Sequence, residues 1–292
     1  TIRLDIVPPT RGLIYDRHRR LMAENITTHR LEIVREKVQD LDALLSKIQS
    51  FIQISEEDRE SFLKQLKKTP KFLPVPLKLQ LSESEVAALS LHQRKLPGVL
   101  IKAGYTRYYP YGASMAHVLG YVGRINEYEQ MRLSKQLYRN THITGKSGIE
   151  KNYETLLLGE PGWREMETDA YGRRVREINQ QAPQHGQALI LTIDAELQMV
   201  AAEALKGRRG AVVALDPNNG EILALVREPS FDPNLFVLGV DKNTYDGLVQ
   251  AEDLGRDAGA GGIRRTGNFG SDVRVRHIVG LDPQREGVAL AD

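Results

Sequence analysis

Four stretches of the chain carry the hydrophobic spacing of an amphipathic helix, and each follows a residue that favours a helix N-terminus. Asp40 precedes an apolar stripe at helical spacing, made of Leu41, Leu44, Leu45, Ile48 and Ile52. Ser55, Ser82 and Asp194 stand in the same position before three further stripes. The pattern therefore predicts four capped helices, the last of them ending near Leu205.

Other stretches carry strand patterns. Residues 31–33 and 72–79 are predicted strands, and the two prolines of the second confine it to a sheet edge. The apolar runs 211–215 and 222–226 flank the turn sequence D-P-N-N-G at 216–220, which predicts a β-hairpin. Helical and strand segments mixed in this way predict an α+β fold.

Five tyrosines fall within a short middle stretch, namely Tyr105, Tyr108, Tyr109, Tyr111 and Tyr121. Side chains alternate between the two faces of a strand, so these rings cannot all face one side. We interpret the block as structural support with some rings packed inward, in preference to a platform on which a ligand stacks.

Composition changes this picture mainly by exclusion. The 292 residues suffice for one large or two medium domains, and the absence of cysteine excludes disulfides and thiolate metal sites. A chain without cysteine suits an oxidising compartment such as the periplasm. The net charge of +2 comes from 40 basic and 38 acidic side chains spread along the chain, so we expect no nucleic-acid partner. Eight of the 25 glycines fall after residue 250, which favours a loop-like or disordered tail over 241–292.

Candidate catalytic motifs fail on their context. Gly145-Lys146-Ser147 ends like a P-loop, but the glycine needed five residues earlier is Asn140. Lys146-Ser147-Gly148 resembles the K-T/S-G triplet of penicillin-recognising enzymes, which must work with S-x-x-K and S-x-N. The S-x-x-K at Ser61–Lys64 lies in a charged amphipathic helix, and no S-x-N occurs. No two histidines have the spacing of a zinc site. We therefore predict no catalytic, cofactor-binding or metal-binding residues.

Five blocks, taken in order, resemble class B penicillin-binding proteins. They are P-T-R-G-L-I-Y-D-R at 9–17, R-Y-Y-P-Y-G at 107–112, G-I-E at 148–150, L-T-I-D at 191–194 and D-P-N at 232–234. The tyrosine block resembles the elongation-specific penicillin-binding protein 2 group. Gly172 and Arg173 also match the family. His18-Arg19 departs from it, because an Asn-Gly turn is more usual there.

The resemblance implies a domain organisation. Residues 1–182 are expected to form a pedestal, or dimerisation, domain, and residues 183–240 the truncated start of a transpeptidase domain. Residues 241–292 match nothing in the family. The family's serine nucleophile follows the D-P-N block, yet its Pro-Pro-Gly-Ser context and the other catalytic motifs are missing after residue 234.

The resemblance also implies a function. We expect a non-catalytic periplasmic pedestal that docks and orients cell-wall elongation partners in peptidoglycan biosynthesis and cell-shape maintenance. Its expected partners are an elongation scaffold protein and a membrane glycan polymerase, with attachment to the inner membrane through an anchor upstream of Thr1. The docking surface is expected on residues 31–101, around Val75. The alternatives are a D,D-transpeptidase acting through a serine acyl-enzyme, whose catalytic domain is missing here, and a non-functional truncated product.

Overall fold

The computed structural model describes residues 2–134, 136–138, 141–168 and 174–237. The predicted tail 241–292, as well as Gly172 and Arg173, lies outside the described residues. The strands in chain order are β1 (Ile2–Val7), β2 (Ile14–Tyr15), β3 (Leu21–Val34), β4 (Pro74–Leu81), β5 (Val99–Tyr108), β6 (Val122–Arg124), β7 (Ile143–Gly145), β8 (Gly162–Thr168), β9 (Arg174–Gln181), β10 (Leu189–Ile190), β11 (Gly210–Leu215) and β12 (Ile222–Glu228).

The α-helices in chain order are α1 (Leu41–Gln49), α2 (Glu56–Lys68), α3 (Glu83–Leu91), α4 (Ala116–Leu119), α5 (Glu127–Arg132), α6 (Gly148–Asn152), α7 (Glu154–Leu158) and α8 (Ala195–Leu205). Helices and strands are interspersed along the whole described chain. The predicted α+β fold is confirmed.

The four predicted N-caps are confirmed at atomic level. The carboxylate of Asp40 accepts the backbone N–H of Ala43, which satisfies one of the unpaired donors at the start of α1. Ser55 and Asp194 cap α2 and α8 in the same way. Ser82 forms a full capping box at the start of α3.

The chain forms two compact units, and the first is assembled from two chain segments. This split unit consists of the residues up to Asn25 together with those from Arg107 onward, whereas residues 26–106 form the inserted unit. The chain passes from the split unit into the inserted unit within β3, and it returns within β5.

The inserted unit encloses its own hydrophobic core. The second half of β3 pairs antiparallel with β4 and also pairs with β5, while α1, α2 and α3 supply helical core side chains. The buried core residues include Leu31, Ile33, Leu44, Leu45, Ile48, Phe62, Val75, Leu77 and Leu89. Among the described strands β4 pairs only with β3, as its prolines predict.

The expectation of a docking surface around Val75 is wrong. Its side chain is only 2% exposed, because it alternates inward along β4 and packs in the core of the inserted unit. Val75 pairs in register with Ile33, which is itself fully buried. A residue in this position cannot contact a partner protein without unfolding the unit.

The split unit gathers a second core from distant parts of the sequence. β10 pairs parallel with β2, β1 pairs with the hairpin of β8 and β9, and β11 with β12 forms the predicted hairpin. The core contains Ile14, Met22, Tyr109, Met115, Leu119, Ile149 and Leu157 together with Leu189, Leu191, Ile193 and Val237. Residues on both sides of position 182 therefore share one hydrophobic interior.

A candidate functional site built on buried charges

The centre of the split unit is a carboxylate enclosed by basic side chains. Glu150, at the start of α6, is fully buried, and its two oxygens accept the Nε–H groups of Arg11 at 2.6 Å and Arg107 at 2.7 Å. The hydroxyl of Tyr109 donates to the same carboxylate at 3.2 Å. Burial alone would raise the pKa of Glu150, but the two arginines outweigh it and hold that pKa below the usual range.

A second carboxylate extends this network. Glu154 accepts Arg11 Nη2 at 2.5 Å, the hydroxyl of Tyr138 at 2.8 Å and that of Thr144 at 3.1 Å, and it also accepts the backbone N–H of Gly145 at 3.0 Å. Burial, together with the nearby carboxylate, raises the pKa of Tyr138 to about 12. Tyr138 therefore stays protonated at neutral pH and donates a hydrogen bond to Glu154.

Local structure explains how the two arginines converge. Arg11 lies in the segment between β1 and β2, and Arg107 lies at the end of β5. Asn25 connects them, since its amide donates to the Arg11 carbonyl at 2.6 Å while its Oδ1 accepts Arg107 Nη1 at 3.3 Å. Gly12, which follows Arg11, allows this segment to lie directly against the backbone of Gln187. A Cβ at position 12 would lie 1.9 Å from the carbonyl oxygen of Gln187.

The tyrosine block is divided between interior and surface. Tyr109 is fully buried, whereas Tyr105 is 63% exposed. The hydroxyl of Tyr109 accepts the backbone N–H of Val122 at 3.0 Å in addition to donating to Glu150. The predicted inward packing is confirmed at Tyr109, which serves as structural support.

The last block of the sequence folds back onto this tyrosine. Asn234 Oδ1 accepts the backbone N–H of Tyr109 at 2.9 Å, and its amide donates to the Tyr109 carbonyl at 3.0 Å. Phe231 and Phe236 pack their rings on Tyr121, with centroid separations of 5.9 Å and 4.8 Å. Residues 231–236 are thus held against the tyrosine block by both polar and aromatic contacts.

The first and fourth blocks meet through Asp16, which is fully buried. One oxygen of Asp16 accepts the backbone N–H groups of His18 and Arg20 at 2.8 Å and 2.7 Å, and the other accepts that of Ala195 at 3.2 Å. The carboxylate therefore stabilises its own turn and the first turn of α8 together.

Gln198 of α8 has a similar bridging role and is also fully buried. Its amide donates to the carbonyls of Ser114 and Leu225 at 2.8 Å each, and its Oε1 accepts the N–H of Leu225 at 2.7 Å. One side chain thereby joins α8 to β12 and to the segment after the tyrosine block.

The candidate catalytic residues belong to different compact units. Ser61 and Lys64 lie on α2 in the inserted unit, where Lys64 is exposed at 3.9 Å from Glu60 and Ser61 accepts a hydrogen bond from Gln65. Lys146 lies in the split unit and pairs with Glu129 at 2.5 Å. Lys64 is therefore solvent-exposed, and Lys146 is engaged by a carboxylate.

Histidines and carboxylates do not assemble a metal centre in the described residues. His18 lies 3.3 Å from Asp194, and His185 accepts the backbone N–H of Thr10 at 3.0 Å. Burial lowers the pKa of His117, whose ring lies against Phe231.

Residue patterns alone did not reveal the Glu150 network. The sequence contains 38 acidic residues, and nothing in their spacing pairs one of them with two arginines more than 40 positions away. The usable signal was the presence of Arg11, Arg107 and Glu150 inside three separate matching blocks. The structure brings these blocks to one buried point.

Residues 6–191 match the family described as the penicillin-binding protein dimerisation domain. This chain belongs to the penicillin-binding proteins. Among relatives of this family, it is 44% identical over 247 residues to the peptidoglycan D,D-transpeptidase MrdA of Acinetobacter baumannii, covering 85% of this chain and 37% of that protein. It is 39% identical over 253 residues to MrdA of Escherichia coli, covering 85% of this chain and 40% of that protein.

Two solved penicillin-binding proteins share the fold. One is a complex between PBP2 and MreC from Helicobacter pylori, with a TM-score of 0.72 and 26% identity over 86% of this chain and 47% of that one. The other is PBP2 of Pseudomonas aeruginosa in complex with WCK 5153, with a TM-score of 0.52 and 30% identity over 85% of this chain and 35% of that one. The predicted membership of the elongation-specific PBP2 group is confirmed.

This chain spans 37% and 40% of the two MrdA relatives, and the matched part includes the dimerisation domain. Within the residues that the structure covers, every helix is too short or too polar to cross a lipid bilayer.

Proposed function

We propose that this chain acts as a non-catalytic periplasmic pedestal that docks and orients partners of cell-wall elongation. The observation that carries the proposal is that residues from the blocks that match the family are buried in one charge network. Arg11, Arg107 and Glu150 come from three of these blocks, and all three side chains are directed inward into a charge network with little or no exposure. Residues used in this way build a rigid support rather than a reactive cleft.

The domain assignment remains part of the proposal. Residues 1–182 are the pedestal, 183–240 the start of a transpeptidase domain, and 241–292 an unmatched tail. The hydrogen bonds of Asn234 and Gln198 support a rigid connection between the first two, since both residues bind backbone groups of the pedestal segment. A rigid connection is what a pedestal needs in order to orient a following domain.

The proposed partners are an elongation scaffold protein and a membrane glycan polymerase, at the periplasmic side of the inner membrane. The solved complex of PBP2 with MreC from Helicobacter pylori supports the scaffold protein as a partner class. We place the docking surface on exposed apolar side chains of the inserted unit. Leu91 at the end of α3 is the most exposed of these, at 82%.

Binding of this chain to MreC from the organism that encodes it tests this proposal. We expect Leu91→Glu to weaken binding at least tenfold, since a charge would replace an apolar contact, without lowering the melting temperature. Met131→Glu is the matched control, because Met131 is 77% exposed on α5 of the split unit. Absence of binding by the unmodified chain would favour the truncated, non-functional product, and equal loss in both variants would contradict the placement on the inserted unit.

A peptidoglycan D,D-transpeptidase is the second candidate function. The names of the MrdA relatives favour it for a longer protein, whereas the exposure of Lys64 and the ion pair of Lys146 with Glu129 argue against it for this chain. We expect no covalent label from a fluorescent β-lactam. Penicillin-binding protein 3 of Bacillus subtilis, 34% identical over 242 residues, serves as the positive control. A label that survives denaturation and disappears in Ser61→Ala would establish the enzyme instead.

A further inference from the structure

The connection between α2 and β4 leaves apolar side chains outside the core of the inserted unit. Phe72 is 61% exposed and Leu73 is 37% exposed, although Phe62 and Val75 on the flanking elements are buried. The N–H of Leu73 donates to the carbonyl of Pro70 at 3.0 Å, so the two apolar residues lie in a closed turn. The turn therefore presents an aromatic ring to solvent in a defined conformation.

Positive charge is concentrated beside this ring. Residues 61–82 contain five lysines and no carboxylate, while the whole chain is nearly balanced in charge. Four of these lysines are exposed and fall within eight positions, namely Lys64, Lys67, Lys68 and Lys71. Lys67 and Lys71 form no ion pair with any described residue. The turn and the end of α2 together make a basic, apolar tip, which we define as residues 64–73.

Helix stability explains only part of this arrangement. Lys67 and Lys68 occupy the last turn of α2, where a positive charge interacts favourably with the helix dipole. That interaction does not extend to Lys71, which lies beyond the helix, and it gives no reason to expose Phe72. The combination of the exposed Phe72 ring with Lys67 and Lys71, which form no ion pair with any described residue, needs an external partner to explain it.

The size and chemistry of the tip decide the class of partner. A stable protein interface needs about 20–30 residues a side, far more than a ten-residue tip provides. A lipid surface needs much less, because a few apolar side chains enter the interface while nearby lysines meet anionic headgroups. We propose that residues 64–73 bind the surface of a bilayer that contains anionic phospholipids, with Phe72 inserted among the headgroups.

Vesicle binding by the complete chain tests the proposal independently of partner docking. We expect the chain to sediment with vesicles of phosphatidylcholine mixed with an equal amount of phosphatidylglycerol, and not with pure phosphatidylcholine. Each lysine near such a surface contributes about fivefold in partitioning. Reversing both Lys67 and Lys71 to glutamate should therefore reduce binding by about 25-fold or more, and Phe72→Ser by about tenfold.

Two control variants distinguish binding through the tip from non-specific binding of the chain to vesicles. Lys151→Glu reverses an exposed lysine on α6, and Met131→Ser removes an exposed apolar side chain on α5. Both should bind vesicles like the unmodified chain. All substituted residues are exposed, so melting temperatures should be unchanged and folding cannot account for a loss of binding.

Fluorescence can report insertion directly. Trp163 is the only tryptophan, so Phe72→Trp in a Trp163→Phe background places one reporter on the tip. We expect its emission to shift to shorter wavelength with anionic vesicles and to stay unchanged with soluble polyglutamate. Failure of the unmodified chain to bind anionic vesicles would overturn the proposal. So would equal binding by the tip variants, or a shift with polyglutamate alone, which would identify an acidic polypeptide as the partner.

Discussion

The side chain of Asn234 binds both backbone polar groups of Tyr109, although 125 positions separate the two residues. Tyr109 is fully buried and its hydroxyl contacts Glu150, so the last block of the chain is connected to the central charge network through one tyrosine. This relationship explains why the segment up to residue 237 belongs to the split unit, and it makes Asn234 a direct test of that connection.

We expect Asn234→Ala to lower the free energy of unfolding by about 1–3 kcal/mol, because the N–H of Tyr109 would stay buried without an acceptor. The Tyr109 carbonyl keeps a second donor, the N–H of Gly112, so the loss falls mainly on the N–H. Chemical denaturation measures the change. Asn152→Ala is the control, since Asn152 is exposed on α6, and equal stability of the two variants would contradict the role of Asn234.

Glu150→Gln tests the charge network. We expect a loss of about 3–5 kcal/mol at neutral pH, since two buried arginines would lose their shared counter-charge. Glu203→Gln, which alters an exposed pair with Lys206, should cost less than about 1 kcal/mol. Thermal unfolding at neutral pH compares the two, and similar melting temperatures would show that the network contributes little.

The same variant should change the pH dependence of stability. The pKa of Glu150 is lowered in the folded protein from its ordinary value of 4.5, so its stabilisation is complete above that value. As the pH falls below about 4.5, the unfolded chain binds a proton that the folded protein resists, and the stabilisation is lost. The difference in free energy of unfolding between the unmodified chain and Glu150→Gln should therefore become smaller as the pH is lowered. A difference that stays constant down to pH 3 would contradict the lowered pKa.

Tyr105 and Tyr109 form a matched pair of tyrosines, one largely exposed and one buried. We expect Tyr109→Ala to lower the free energy of unfolding by about 3–5 kcal/mol, as truncation of a buried aromatic does. Tyr105→Ala should change it by about 0.5 kcal/mol or less. Melting temperatures of the two variants, measured in the same buffer, test whether Tyr109→Ala is the more destabilising. If Tyr109→Ala abolished MreC binding without lowering the melting temperature, the tyrosine block would be a contact surface.

Local signals predicted the local structure well. Asp40, Ser55, Ser82 and Asp194 each begin a helix as expected, because an N-cap depends on a few consecutive residues. The hairpin at 216–220 follows the same logic. The strand predicted at 31–33 was too short, since β3 is one continuous strand of 14 residues from Leu21 to Val34.

Long-range relationships were beyond such signals. Val75 was expected at a docking surface because its neighbours are prolines on an edge strand, and edge position says nothing about which face is buried. The convergence of Arg11, Arg107 and Glu150 depends on how three distant segments pack. The resemblance to the family indicated that these residues matter, but their contacts required the structure.

The hairpin of β11 and β12 carries the last prediction. β11 is apolar throughout and pairs with no described strand other than β12, and its Val213 and Leu215 are 52% and 56% exposed. An exposed apolar strand with a free edge is a site of association between chains. We expect Val213→Lys to reduce light scattering on concentration while changing the free energy of unfolding by about 0.5 kcal/mol or less.

Val226, on the partner strand, is the matched control because only 2% of its side chain is exposed. Val226→Lys should cost about 3–5 kcal/mol, since it buries an uncompensated charge, and it should increase scattering as the unit unfolds. If Val213→Lys destabilised the chain as much as Val226→Lys does, the outer face of β11 would already be covered. If it left scattering unchanged, the free edge would not be the site through which chains associate.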